Sequence, residues 1–336
     1  MSPFDTKLTK TLNIDLPIVQ APIGSATCPE LVTAVSEAGA LGMLSVTWRD
    51  ESETREVIER TKRETQSMFG VNIVVDPDAK EIPTETHVDI CLDEGIEIFS
   101  FSFGEAAPYV EKIQSQGGKV LETVGSAQEA REAVDAGVDI VVAQGWEAGG
   151  HVESDVATLP LIPRVRDAVP DTPVVAAGGI SDGRGVASVL TLGADGAWLG
   201  TRFVATHEAY AHQIYQDSIS QADETETVYT TLFDRGWEGV PHRVIENQTV
   251  SEAKHTEDKP SESEVIAVTD DERRIRRYED ALGVPGMEGN LEELPLYAGQ
   301  SSGLIDEVKP AKEVITDLVD GATKALEETC TDQVEG

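Results

Sequence analysis

The sequence predicts a (β/α)8 barrel, and three observations predict it. Eight short apolar runs recur along the first two-thirds of the chain, amphipathic stretches separate them, and most of those stretches stop at a glycine. A regular strand–helix beat of this kind is the pattern of parallel βα units. Eight units closed on themselves need about 250 residues, and a chain of 336 residues holds them with a remainder. A doubly wound sheet is the competing arrangement on pattern alone.

In order, the apolar run 18–21 leads into a helix-like stretch 29–38 that stops at Gly39. Run 41–45 precedes the helix 51–65, and run 69–75 precedes 84–93, which stops ahead of Gly95. Run 98–101 leads to 107–116 and Gly117, and run 119–123 leads to 127–136 and Gly137. Runs 140–144 and 174–176 are followed by helices 159–168 and 183–192, the second stopping at Gly193 before the last run, 196–199. Glycine at these five ends fits the left-handed helix cap, which it enters without a Cβ penalty.

The beat stops after about residue 205. Residues 1–212 are therefore assigned to the barrel and 213–295 to a smaller, mostly helical lid inserted over its mouth. Residues 296–326 form a C-terminal segment returning to the barrel, and 327–336 a tail. Within the polar stretch 210–294, 212–222 and 270–282 look helical, while 251–264 is nearly all charged or small and reads as an exposed loop. Residues 304–326 regain a helical apolar period.

There are 62 acidic residues against 26 basic ones, a net charge of −36. That balance argues against a nucleic-acid surface, which needs a basic stripe, and against anionic membranes. In dilute salt such a chain repels itself, whereas at molar salt the screening length falls to about 3 Å. A salt-rich cytosol is the simplest reading, an ordinary acidic protein the other. Cys28, Cys91 and Cys330 are scattered and odd in number, which favours a reduced compartment over a disulfide framework. Residues 1–10 contain no apolar run, and no stretch of about 18 apolar residues occurs, so a cytoplasmic location with no membrane partner is expected. A homodimer is the default assembly.

Barrel sites lie where the strands end, and small residues crowd those ends here. Ala21-Pro22 follows the first strand, Asn72 lies within the third, and Gln144 runs into Gly149-Gly150-His151 after the sixth. Gly178-Gly179 follows the seventh strand and Gly200-Thr201 the eighth. Glycines after strands seven and eight, ahead of helix starts, form the usual phosphate cradle of such barrels. A phosphate would accept from backbone N–H groups at Gly179, Gly200 and Thr201. Each glycine alone reads equally as a tight turn; both loops together favour a phosphate ligand.

His151 sits on a loop, and its ordinary pKa near 6.5 suits proton transfer or binding of an anionic substrate. Lys119 opens the fifth strand; it reads either as a partner for an anionic ring or phosphate, or as a lysine snorkelling from a strand end. Gly299 to Gly303 spells G-x-S-x-G, but no histidine follows Ser301, as a nucleophile elbow requires. No metal-ligand spacing, Walker loop or G-x-G-x-x-G is present.

These rim segments, above all Glu147-Ala148-Gly149-Gly150-His151 and the run from Ala176 through Gly185 to Phe203, resemble the nitronate monooxygenase family of FMN-dependent TIM barrels, over roughly residues 13–212 and 296–320. The resemblance implies FMN contacts at Ala21, Pro22, Asn72, Lys119, Gln144, Gly149, Gly150 and Gly179, and along Trp198, Leu199, Gly200 and Thr201. It makes His151 the catalytic histidine beside the flavin, with no metal. Ile23 and Trp146 depart from the family's usual residues, and the compact stretch 76–97 is closer to its enoyl-reductase and quinone-reductase relatives. The expected activity is oxidation of alkyl nitronates with O2 to carbonyl compounds and nitrite. The alternatives are an NAD(P)H-dependent reductase of a quinone or enoyl thioester using the same FMN site and, in another class, a non-catalytic flavin-binding module.

Overall fold

A computed structural model describes residues 3–75, 82–254 and 263–331. His255, most of the loop 251–264 and the tail beyond residue 331 lie outside the described residues, as do part of the stretch 76–97 and the side chain of Cys330.

In chain order the elements are α1 (Lys7–Leu12), β1 (Ile18–Gln20), α2 (Pro29–Glu37), β2 (Gly42–Ser45), α3 (Glu51–Glu64) and β3 (Phe69–Val74). Then come α4 (Thr84–Asp93), β4 (Ile98–Ser102), α5 (Ala107–Gln114), β5 (Lys119–Val124), α6 (Ala127–Asp135) and β6 (Ile140–Gln144). A two-residue strand β7 (Gly150–His151) precedes α7 (Thr158–Ala168), β8 (Val174–Ala177), α8 (Gly183–Thr191), β9 (Gly196–Leu199) and α9 (Thr201–Val204).

Among the described residues, eight strands run parallel in the order β1-β9-β8-β6-β5-β4-β3-β2. A bridge between Val19 and Leu41 joins the two ends, so the sheet closes into the expected barrel. Gln20 reinforces that seam: its side-chain oxygen accepts the Met43 N–H at 3.1 Å. The outer layer, between strands and helices, packs Leu44, Val71, Phe99, Val141, Ala176 and Leu199. The inner layer packs Val19, Met43, Ile98, Leu121, Val142, Val175 and Trp198. The five glycine helix ends all adopt positive φ, from +72° at Gly95 to +100° at Gly193.

Helix α1 is an element the polar N-terminus did not announce. Its two apolar residues, Leu8 and Leu12, join the inner layer from the N-terminal end of the strands. Leu8 packs so tightly on β9 that a Cβ at Gly196 would fall 2.4 Å from it.

The inserted segment carries α10 (Gln213–Gln221) and α11 (Gln248–Lys254), and two small antiparallel sheets beside them. One sheet is β10 (Thr227–Thr230), β11 (His242–Ile245) and the rim strand β7; the other is β12 (Val265–Val268), β13 (Arg274–Arg276) and β14 (Glu288–Gly289). The helix expected over 270–282 is absent. Ile275, Tyr278 and Leu282 have helical spacing, but Thr269 and Arg273 close a turn through Glu272 at φ 68°. The strand that follows buries Ile275 between exposed Arg274 and Arg276, a period of two. The C-terminal helix α12 (Ala311–Thr331) starts later than 304 because Pro310 disfavours helical backbone in the residue before it. It docks on α8 and α2, with Gly183 and Gly321 allowing backbone contact.

Candidate active site

The site is built from side chains that alternation turns inward at the carboxyl ends of the strands. Two residues beyond inward Ile98 and Val142 stand Ser100 and Gln144, and register pairs Asn72 with Ser45 and Ser100. Asn72 is buried, and its amide donates to the Ser100 carbonyl at 3.3 Å and the Ser100 hydroxyl at 3.2 Å. Gln144 fixes the next loop from both ends of its amide: Nε2 donates to the His151 carbonyl at 3.2 Å, and Oε1 accepts the Glu153 N–H at 2.8 Å.

Next to this polar layer, the chain leaves β8 through Gly178 and Gly179 at φ +95° and +71°. That left-handed pair is available only to glycine at low cost, and a Cβ at Gly178 would lie 2.8 Å from the Gly145 carbonyl. Gly200 starts α9 opposite Ala21, whose Cβ is 3.6 Å from where a Gly200 Cβ would sit. The Thr201 hydroxyl accepts the Gly299 N–H at 3.0 Å. Gly149 serves backbone packing first, since a Cβ there would come within 2.3 Å of the Gly299 nitrogen. Gly150, at φ +74°, has open space on its Cβ side.

His151 stands at the junction of barrel and insertion, because β7 pairs with β11 and sets His151 opposite His242. Its ring is flanked by Trp237 at 4.4 Å, His242 and Tyr297 at 5.5 Å, and Phe103 at 6.1 Å between centroids. Burial among these rings holds the imidazole well below its usual pKa, at about 4. The neutral ring is therefore its resting form, against the value near 6.5 expected from residue type. Nε2 is buried without a hydrogen-bond partner among the described residues; 3.7 Å away lies Oδ2 of Asp280, contributed by the insertion. Burial raises the Asp280 carboxyl, while the Tyr297 hydroxyl, donating to Oδ1 at 2.6 Å, opposes that rise.

The structure thus gathers Ala21, Asn72, Gln144, Gly149, Gly150, His151, Gly179, Gly200 and Thr201 at one end of the barrel, with Pro22 beside Ala21. Trp198 lies one layer deeper, in the barrel interior, and Leu199 turns its side chain outward, so that only its backbone faces the rim. Lys119 is misplaced for a rim contact. It opens β5 at the opposite end of the barrel and pairs with Asp139 at 2.9 Å. Sequence reasoning missed Asp280, Glu153, Trp237 and Tyr297. Three of the four come from or beyond the insertion, where no periodic pattern marks a rim.

The family model described as nitronate monooxygenase matches residues 5–321. A Rhodococcus jostii protein named (3aS,4S,5R,7aS)-5-hydroxy-7a-methyl-1-oxo-octahydro-1H-indene-4-carboxyl-CoA dehydrogenase is 32% identical over 97% of this chain and 98% of its own. A probable nitronate monooxygenase of Staphylococcus saprophyticus is 30% identical over 96% and 99%. Among solved structures, FabK from Thermotoga maritima superposes with a TM-score of 0.82 at 33% identity, over 96% of this chain and 98% of that one. A nitroalkane oxidase from Streptomyces ansochromogenes gives 0.78 at 28% identity, over 96% and 99%. On this agreement of sequence, fold and rim, the chain belongs to the nitronate monooxygenase family of flavin-dependent oxidoreductases.

Proposed function

We propose that the protein oxidises alkyl nitronates with O2 to a carbonyl compound and nitrite, with FMN as the resident flavin. One observation carries this reading: the left-handed Gly178–Gly179 turn and Gly200, which meets only Ala21 on its Cβ side, flank the same rim that carries His151 on β7. The residues fit the cofactor. Gly179, Gly200 and Thr201 offer backbone N–H groups to a phosphate, Asn72 offers its amide to a heteroaromatic ring, and Gln144 holds the His151 segment beside it. Ala21 and Pro22 would line the site without adding charge. When bound, FMN supplies electron acceptance and the delivery of electrons to O2.

The chain's own part is positioning and proton handling. His151, neutral and buried, takes the proton from carbon where a neutral nitroalkane enters instead of its anion, and the N–H so formed donates to the nitro oxygens. Phe103 and Trp237 exclude water from that contact, and the insertion that carries Trp237 acts as a lid over the rim.

A second reading, an NAD(P)H-dependent reductase of a quinone or enoyl thioester, is favoured by the likeness to FabK. An absorbance spectrum of the purified protein followed by anaerobic titration tests both. Bleaching by propyl nitronate but not by NADH supports the oxidation; fast bleaching by NADH alone supports the reductase. A protein that is colourless and refuses added FMN refutes both.

A further inference from the structure

We propose that Asp280 is the positioning residue for His151: a carboxylate delivered by the insertion that keeps the imidazole proton on Nε2 and becomes the counter-ion when the ring accepts a second proton. The proposal rests on reading His151 as the proton-handling group of the site.

Four observations carry it. The Asp280 Oδ2 atom faces His151 Nε2 at 3.7 Å, and Nε2 has no other partner among the described residues. That separation is beyond a hydrogen bond, and contacts of this kind shorten as a reacting complex assembles. The second carboxylate oxygen is already committed, because the Tyr297 hydroxyl donates to Oδ1 at 2.6 Å. Tyr297 is itself anchored, its carbonyl accepting the buried Tyr215 hydroxyl at 2.6 Å. The aspartate is thus clamped with one free oxygen toward the histidine.

The third observation is the state of His242, the other imidazole of the cluster. Its Nε2 accepts the Phe233 N–H at 3.3 Å, so its Nδ1 carries the proton and donates to the Val240 carbonyl at 3.0 Å. Both ring nitrogens are used, and burial holds His242 neutral, at about 4. It has no proton to give Asp280. The fourth is chain geometry. The Asp280 N–H donates to the Arg235 carbonyl at 2.9 Å, tying the aspartate to the segment that bears Trp237.

The charge-bearing groups facing the pair are His242, Tyr297 and, through His242, Asp234. With Nε2 protonated, Nδ1 is the lone-pair nitrogen. It takes the proton from a substrate carbon, whose bonding pair stays on the substrate as its anion, and the imidazolium so formed is paired to Asp280. A carboxamide in place of the carboxylate donates to Nε2 instead and turns the ring to the wrong tautomer.

The test is nitrogen NMR on full-length protein labelled with 15N-histidine, near neutral pH. The expected wild-type signal for His151 is the neutral ring protonated on Nε2. In Asp280→Asn it shifts to protonation on Nδ1, and in Tyr297→Phe it stays on Nε2. Kinetically, Asp280→Asn should lower kcat on a neutral nitroalkane about 10-fold to 100-fold, with KM little changed and a smaller loss on the preformed nitronate. A wild-type ring protonated on Nδ1, or an Asp280→Asn ring still protonated on Nε2, overturns the proposal. Should Asp280→Asn fail to fold, the wild-type spectrum alone decides. Absence of turnover with either substrate refutes the functional reading and leaves the tautomer result standing.

Discussion

Glu153 accepts the backbone N–H of Phe103 at 2.6 Å, and Phe103 holds a left-handed φ of 54° there. Glu153 is in turn hung from Gln144, which also holds the His151 carbonyl. A single inward glutamine, one buried carboxyl and one strained residue therefore set the distance between the segment bearing His151 and the Phe103 ring, which packs on Trp237 at 4.7 Å.

Burial pushes the Glu153 carboxyl up to about 8, with Glu129 and Glu122 adding repulsion and the Phe103 N–H opposing it. Its native pKa lies above the unfolded value near 4.5, so the folded protein binds the extra proton between those limits. Stability from this group is then present at low pH and lost as pH rises toward 8. Glu153→Gln, which keeps an acceptor for Phe103, should gain on the wild type by up to about 1.4 kcal/mol per pH unit across that window. Urea midpoints at pH 5, 6.5 and 8 measure it; a constant offset would rule out the titration.

His151→Ala should retain flavin binding and lose about 10²–10⁴-fold in turnover of a neutral nitroalkane. The native pKa of about 4 lies below the ordinary value of 6.5, so the wild type loses stability as pH falls from 6.5 toward 4. The variant should resist acid better over that interval, as followed by circular dichroism.

Two glycines of the rim should answer differently to alanine. At Gly149 the new Cβ meets backbone at 2.3 Å, so Gly149→Ala should cost about 1–3 kcal/mol of stability. At Gly200 the new Cβ makes only an ordinary 3.6 Å contact with Ala21. Gly200→Ala should keep its Tm and, on the proposed phosphate contact at the Gly200 N–H, weaken FMN binding at least about tenfold. Thermal melts and flavin fluorescence titration separate the two.

Lys119→Met should leave FMN affinity unchanged, since the lysine serves Asp139 at the far end of the barrel. The partly exposed ion pair limits the stability loss to about 1 kcal/mol. A tenfold loss of flavin affinity would restore Lys119 to the site.

A chain with net charge −36 should gain stability as salt rises from 0.1 M to 2 M KCl. A Tm that falls over that range would argue that self-repulsion does not limit the fold.

The barrel could be read from sequence because its signals are local: an apolar run, an amphipathic helix and a glycine stop repeat at short range. The strands at 140–144 and 196–199 lie as expected, and helix ends differ by a residue or two. The glycine turns were readable for the same reason. Asp280 was not. It reaches His151 across 129 positions, the difference between the two residue numbers, through a segment whose apolar spacing imitates a helix while folding as a hairpin. Lys119 is the opposite case: only the resemblance assigned it to the site, and its position at the start of β5 sets it at the other end of the barrel.

Leu8 and Leu12 cork the barrel from beneath. On the proposed function, substrate, O2 and product then use the opposite end among the described residues, beside the segment bearing Trp237 and Asp280. Turnover at such a site is a matter of traffic: a bulky occupant at the threshold slows oxygen's arrival as well as its own exit.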